Sequence, residues 1–356
     1  MPPHVHDRWD TIVRNAYDSI YRPLRAQCNA AMSSHACLVA MYNASTDEGR
    51  TYPWWLRTLL RDAIDPANGL RGPWHTLASL SPTPVAACVI EKVGSSNWRK
   101  FFCHLNGGTD GKGGGCTEGC GGACLTKAYL SNFATPPRNA RSAHEGYQEA
   151  LLHQDAKWRT AVVLRDPLER FASGYLDKCR PFFAIHERHC MPRSVYINGT
   201  ASKELYALTA RMRFGAYADT FPLAWNVHFL PQALYCNDLG RNLEHYTFRG
   251  TLNTTFARQI RSFARDLDSA GAQRTATADS SSTVASFSAS ASASAAAAAS
   301  FKERKDAYKS GHATIASDKV MNIMTRRVAR RLLEYFSIDY VELGLPLPAF
   351  LEELQP

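Results

Sequence analysis

The stretch VAACVIEKVGSSNWRKFF, from Val85 to Phe102, decides the fold. Its first six residues, Val85 to Ile90, form a short apolar run that is typical of a strand buried on both faces of a parallel sheet. Gly94 interrupts this run. The next three residues are types that cap the N-terminus of a helix: Ser95, Ser96 and Asn97. The stretch therefore predicts a strand, a tight turn and the start of a helix.

The predicted turn has the properties of an anion site. The first backbone N–H groups of a helix and the positive end of its dipole would lie at the carboxyl edge of the strand, where an anion is easily held. Lys92 lies in the turn and adds a cation. An ordinary strand-to-helix connection has the same pattern, so this stretch alone does not establish a site.

The same pattern recurs from Thr160 onward. Ala161 to Leu164 form a second apolar run that predicts a buried strand. Asp166 is a good helix N-cap, Pro167 suits the first helical position, and Glu169 completes a capping-box spacing. The sequence therefore predicts a second strand followed directly by a helix.

Two strand ends thus carry groups that suit anions. Lys92 and the serine-rich turn follow the first strand, and Arg165 ends the second. Ser173 lies one helical turn beyond Glu169, so we expect Arg165 and Ser173 to approach one ligand. Together the two ends predict a site for a molecule with two separated anionic groups.

These residues carry a resemblance to a known family. EKVGSSNWRKFF resembles the 5′-phosphosulfate loop, and VVLRDPLERFASGY the 3′-phosphate motif, of the Golgi carbohydrate sulfotransferases, which include chondroitin, dermatan and HNK-1 sulfotransferases. WNVHFLPQALYC, from Trp225 to Cys236, is a weaker third likeness. The resemblance implies a P-loop-like α/β fold, with a mostly parallel sheet flanked by helices, that binds 3′-phosphoadenosine-5′-phosphosulfate (PAPS).

The resemblance also implies roles for individual residues. Lys92 would act in catalysis and would bind the 5′-phosphosulfate together with the rest of the loop: Val93, Gly94, Ser95, Ser96, Asn97 and Trp98. Arg165 and Ser173 would hold the 3′-phosphate. The family has a histidine between the first two motifs, which makes His144 the first candidate for the general base and His228 the second. No metal is expected.

The implied activity is transfer of the sulfuryl group of PAPS to a hydroxyl of a glycan acceptor. Two alternatives stay open at this point. A P-loop kinase shares the strand–loop–helix arrangement, although Lys112 in the glycine-rich segment is followed by Gly113 rather than by Ser or Thr. A non-catalytic, glycan-binding relative would keep the basic loop without binding the nucleotide.

The predicted organisation is a helical N-terminal extension over residues 1–80 and a sulfotransferase domain over 81–356. A Gly/Cys-rich insertion at 106–125 and an Ala/Ser-rich disordered insertion at 270–301 interrupt that domain. The region that follows predicts one helix from about Ser317 to Phe336.

Composition bears on the partners and the compartment. The net charge of +9 favours anionic partners. The sequence lacks a basic run interleaved with aromatics, which is the pattern that predicts nucleic-acid binding. Ten cysteines and three glycosylation sequons, at Asn43, Asn198 and Asn253, predict disulfide bonds and a glycoprotein of the secretory pathway. The resemblance implies the Golgi lumen. The sequence has no apolar run of about 18 residues, so membrane attachment would depend on an N-terminal anchor missing from it.

Overall fold

The structure is a computed structural model, and it describes residues 6–47, 49, 51–64, 76–79, 85–95, 98, 101, 158–178, 227–252, 255–278 and 324–354. The chain divides into two compact units. The helical unit comprises Met1–Pro73, Asp166–Leu243 and Gly311–Pro356, and the sheet unit comprises Trp74–Arg165 and Glu244–Ser310.

The sheet unit contains a four-stranded sheet in the order β1-β2-β3-β4. The strands are β1 (Thr76–Ser79), β2 (Val85–Cys88), β3 (Arg159–Leu164) and β4 (Phe248–Thr251). β1 pairs antiparallel with β2, whereas β2 with β3 and β3 with β4 pair in parallel. The mostly parallel α/β sheet predicted from the sequence is therefore confirmed.

The strands β2 and β3 are apolar because they form the core of the sheet unit. Every residue of β2 is buried, and so are Val89 and Ile90 beyond it. In β3 only Arg159 is exposed, and Ala161 to Leu164 are buried. These are the two apolar runs that the sequence predicts as strands.

A long helix packs beside this sheet. Helix α7 (Phe256–Ala278) places Phe263 against Phe248 of β4, with their ring centroids 4.6 Å apart. Trp98 and Phe101, which follow the turn after β2, also contact Phe263, each at 6.3 Å between centroids. This buried aromatic cluster fixes the segment behind the turn against the rest of the sheet unit.

The helical unit contains the remaining α-helices of the described residues. They are α1 (His6–Ala16), α2 (Arg22–Arg25), α3 (Ser34–Ser45), α4 (Trp54–Ile64), α5 (Pro167–Lys178), α6 (Tyr235–Asn242), α8 (Arg326–Tyr335) and α9 (Ser337–Glu342). A π-helical turn, Tyr17–Tyr21, links α1 to α2. Short 3₁₀ turns occur at Val227–Phe229 and Gln232–Leu234.

A buried ion cluster holds three of these helices together. The guanidinium of Arg25 on α2 donates to both carboxylate oxygens of Asp238 on α6, at 2.5 and 2.6 Å, and to both of Glu342 on α9, at 2.6 Å. Burial opposes the charge of Arg25, but the two carboxylates outweigh that effect, and its pKa is raised. The Tyr17 hydroxyl donates to Glu342 at 3.0 Å. All polar atoms of the cluster therefore have charged or hydrogen-bonding neighbours.

Disulfide bonds are present, as the cysteine content predicts. Cys28 pairs with Cys37 and thereby joins the loop after α2 to the first turns of α3. Cys88 also forms a disulfide bond, and so does Cys236.

The predicted helix from about Ser317 to Phe336 is wrong at its start. Met324 and Thr325 are not helical, and α8 begins at Arg326. Thr325 has extended backbone and its hydroxyl accepts a hydrogen bond of 3.3 Å from the Val328 N–H. A threonine in this position caps a helix and satisfies one of its first N–H groups, so the helix begins immediately after it.

Candidate functional site

Two residues in the turn after β2, separated by one position, have the left-handed backbone conformation. Lys92 has φ of 66° and Gly94 has φ of 75°. Glycine adopts this conformation without cost, whereas a lysine there carries backbone strain of about 1 kcal/mol. The N–H of Val93 between them donates to the carbonyl of Ile90 at 3.3 Å, and its side chain is buried. The turn is therefore tight and anchored, and it presents a strained lysine.

A helical segment starts directly after this turn. The Trp98 N–H donates to the carbonyl of Gly94 at 3.0 Å, which is the first i to i−4 bond. The Ser95 hydroxyl donates to Oε2 of Glu91 at 3.0 Å and so bridges the two ends of the turn. The predicted strand, turn and helix start are thus confirmed. Ser96 and Asn97 lie outside the described residues.

Arg165 stands at the end of the neighbouring parallel strand. Its Nη1 donates to the carbonyl of Lys92 at 3.2 Å, and the residue is only 5% exposed. The two strands run in parallel with Cys88 opposite Val162, which puts both of their carboxyl ends at one edge of the sheet. The sheet unit therefore brings the turn and Arg165 into direct contact, as the two sequence motifs predict.

In the helical unit, α5 begins with the predicted cap. Oδ1 of Asp166 accepts a hydrogen bond from the Glu169 N–H at 2.8 Å, and Pro167 is the first helical residue. The Tyr340 hydroxyl donates to Oδ2 of Asp166 at 2.9 Å. Burial, together with the Asp166 carboxylate, raises the pKa of Tyr340 and keeps the hydroxyl protonated as a donor. Ser173 lies on α5 and is buried.

The structure describes one of the two candidate histidines, His228. His144 lies outside the described residues. His228 belongs to the 3₁₀ turn Val227–Phe229 of the helical unit and is buried. Its carbonyl accepts a hydrogen bond of 3.2 Å from Nη1 of Arg170 on α5.

Arg170 is a residue whose role sequence reasoning missed. Nη2 donates to the carbonyl of Leu230, and the guanidinium carbon lies 5.6 Å from the ring centroid of Tyr235. The side chain is completely buried. Helical periodicity offers no signal for this burial, because position 170 lies on the opposite side of α5 from Leu168 and Ala172, where a solvated cation is expected.

Asp339 is a second buried charge beside the same segment. Oδ2 accepts from the Gln232 N–H at 2.9 Å and Oδ1 from the Ala233 N–H at 2.8 Å. Burial raises the pKa of Asp339 to about 6, and the charge of Arg170 and the two N–H groups oppose that rise. Nothing in the spacing of the sequence indicates this contact.

The described residues contain no cluster of three or more His, Cys, Asp or Glu side chains placed to hold a metal ion. None of their helices is both long and apolar enough to cross a lipid bilayer.

Comparison with known proteins identifies the class. Residues 81–344 match the model of the sulfotransferase family, so the chain belongs to that family. The match includes the turn after β2, Arg165, α5 and His228.

A curated relative is also a family member by name. The Caenorhabditis elegans protein "Putative sulfotransferase vep-2" is 24% identical over 180 residues, which cover 49% of this chain and 52% of the relative. The chain thus spans about half the length of the curated relative that it matches. No solved structure matches the chain.

Proposed function

We propose that this protein transfers the sulfuryl group of PAPS to a hydroxyl of a glycan acceptor. The observation that carries the proposal is the contact between Arg165 and Lys92 within the region matched by the family model. It joins a strained, cationic turn to the cation at the end of the adjacent strand. A molecule with two separated anionic groups is the natural ligand for such an edge.

Lys92 and the N–H groups around Ser95 bind the 5′-phosphosulfate in this proposal, while the N–H groups of Val93 and Trp98 donate to carbonyls of the turn. The first N–H groups of a helix have no acceptor within it and are therefore free to point at an anion. The ammonium group of Lys92 stabilises the negative charge that grows on the leaving phosphate. Ser96 and Asn97 add side-chain donors, whereas the Ser95 hydroxyl donates to Glu91 within the turn.

Arg165 and Ser173 hold the 3′-phosphate in this proposal. The guanidinium has five donors, and its contact with the Lys92 carbonyl uses one of them. The planar fork of a guanidinium suits the recognition of phosphate oxygens. Ser173 supplies a hydroxyl to the same phosphate from α5.

A histidine removes the proton of the acceptor hydroxyl. His228 and His144 are the two candidates, and such a base contributes about 10² to 10⁴ in rate. The acceptor oxygen forms a bond to sulfur as the bond from sulfur to the phosphate oxygen breaks. The products are the sulfate ester and 3′,5′-adenosine diphosphate, and the histidine keeps the proton.

The acceptor class is proposed as a glycan of the secretory pathway. The motifs resemble those of the Golgi carbohydrate sulfotransferases, and the disulfides are those of an oxidising compartment. The net charge of +9 suits an acidic glycan as well as the nucleotide. Golgi location and N-glycosylation are parts of the same proposal.

Calorimetric titration with 3′,5′-adenosine diphosphate, and separately with ATP, tests the proposal. We expect binding of the first and transfer of label from PAPS to at least one member of a glycan panel that includes unsulfated chondroitin. ATP turnover without PAPS dependence would identify a kinase. Glycan binding without any nucleotide binding would identify a non-catalytic relative.

A further inference from the structure

We propose that Arg170 and Gly174 of α5 are positioning residues that fix His228 for proton transfer. This inference rests on the proposed function and deepens it, because it selects between the two candidate histidines. It concerns one face of α5, where positions 170 and 174 lie one turn apart. The 3₁₀ segment that carries His228 packs on this face.

Arg170 holds the main chain on both sides of Phe229. Its two terminal nitrogens donate to the carbonyls of His228 and Leu230, so one rigid guanidinium fixes two peptide planes. The planar fork of an arginine loses little conformational freedom in such an arrangement. The backbone of His228 is therefore tied to α5 by a charge-assisted contact.

Gly174 provides the room that this arrangement needs. A Cβ atom at position 174 would lie 2.8 Å from Cε1 of Phe229, closer than carbon atoms approach one another. The ring of Phe229 also packs on Phe171, with a centroid distance of 5.1 Å. The residue next to His228 is thus seated directly on the backbone of α5.

Asp339 fixes the same segment further along. It accepts the N–H groups of Gln232 and Ala233, and its carboxylate attracts Arg170. Hence the Arg170 guanidinium binds two carbonyls before Pro231, and the Asp339 carboxylate binds two N–H groups after it.

Burial of two charged side chains costs desolvation free energy and is not an efficient way to stabilise a core. Replacement of buried ion pairs by apolar residues of similar volume is often neutral or stabilising, so stability alone does not call for Arg170 and Asp339. A directional contact on either side of a short turn instead restricts the turn to one geometry. A catalytic base requires this restriction, because a displacement of about 1 Å can cost about 100-fold in rate.

A double-mutant cycle between Arg170→Lys and His228→Ala tests the inference. Lysine keeps the charge but lacks the rigid planar fork with which arginine holds both carbonyls. We expect Arg170→Lys to lower kcat for sulfate transfer about 10- to 100-fold, with the affinity for 3′,5′-adenosine diphosphate unchanged. In the His228→Ala background the same change should have no further effect on kcat, because it acts through the histidine. Multiplicative losses, or an unchanged kcat in the single variant, would overturn the inference.

Gly174→Ala provides a test that does not alter a buried charge. It favours the helix intrinsically, and the three atoms nearest to the added Cβ all belong to the ring of Phe229. We expect it to lower kcat and to lose this effect in the His228→Ala background. Gly49→Ala is the matched control, because its nearest neighbour, Oδ1 of Asp47, is at an ordinary distance of 3.5 Å. If Arg170→Lys does not fold, the cycle with Gly174→Ala decides the question alone.

The two levels of the proposal fail in distinguishable ways. A wild-type protein that does not bind 3′,5′-adenosine diphosphate, or that sulfates no glycan of the panel, contradicts the proposed function. A fully active His228→Ala variant in a protein that does transfer sulfate contradicts only the role of α5 in positioning that histidine.

Discussion

Nη1 of Arg165 donates a hydrogen bond of 3.2 Å to the carbonyl oxygen of Lys92. This bond connects the ends of two neighbouring parallel strands, β2 and β3. It also fixes the carbonyl of a lysine whose backbone is in the strained left-handed conformation. One cation therefore supports the turn that carries the other, and both lie at the same edge of the sheet.

Replacement of Arg165 by alanine is predicted to weaken the binding of 3′,5′-adenosine diphosphate about 10- to 100-fold. A charge-assisted contact is worth about 1.5 to 3 kcal/mol, which corresponds to this range. Calorimetric titration measures the change. Arg159→Ala is the matched control, because it removes the same charge from the opposite, exposed end of β3. If the two variants bind 3′,5′-adenosine diphosphate with equal affinity, Arg165 does not contact the nucleotide.

Lys92 is predicted to lower the stability of the folded protein through its backbone strain while its ammonium group binds the nucleotide. Lys92→Gly and Lys92→Ala both remove the ammonium group, so both should lose nucleotide affinity and turnover to the same extent. The glycine variant also relieves the left-handed strain, and we expect it to be more stable than the alanine variant by about 1 kcal/mol. Chemical denaturation measures the difference. A nucleotide affinity equal to that of wild type in both variants would contradict a role for the lysine.

The strands and the cap of α5 could be predicted from local sequence because their causes are local. The apolar runs before Lys92 and Arg165 and the spacing from Asp166 to Glu169 lie within a few residues. The distant contacts could not be predicted. Arg25 contacts Asp238 and Glu342, which are 213 and 317 positions away in the sequence. No periodic pattern connects residues so far apart. Arg170 was missed for the same reason, since its partners are 58 and 60 positions away.

His228→Ala is predicted to lower kcat by about 10² to 10⁴ and to leave the affinity for 3′,5′-adenosine diphosphate unchanged. The residue is buried, so a folded variant has to be confirmed by circular dichroism before the rates are compared. His144→Ala is the comparison variant. Loss of turnover in that variant, with His228→Ala fully active, would reverse the assignment of the base.

Asp339 is predicted to make the protein less stable as the pH rises from about 4 to 6. Its pKa is raised from 3.8 to about 6 by burial, so the folded state holds a proton that the unfolded state has released in this interval. The stabilising contribution of the group is full below pH 3.8 and is lost as the pH rises through 6. Its total is on the order of 3 kcal/mol. Denaturant titrations across this range measure it.

The Asp339→Asn variant isolates this contribution from those of other carboxylates. The free energy of unfolding of the wild type relative to the variant should decline with rising pH, by at most about 1.4 kcal/mol per pH unit. Asp10→Asn, at an exposed position of α1, is the matched control for the substitution itself. A relative stability that rises with pH in the Asp339 comparison would mean that its pKa is lowered rather than raised.

Arg25 and Arg22 provide a paired test of what burial does to an ion pair. They lie on the same short helix, but Arg25 contacts two buried carboxylates, whereas Arg22 pairs with Asp18 at 2.7 Å with side chains 68% and 44% exposed. Arg25→Met should destabilise the protein by about 3 to 5 kcal/mol, because Asp238 and Glu342 would repel each other without a cation. Arg22→Met should cost about 0.5 kcal/mol or less. Chemical denaturation at neutral pH compares them, and equal losses would show that the cluster does not contribute through its charges.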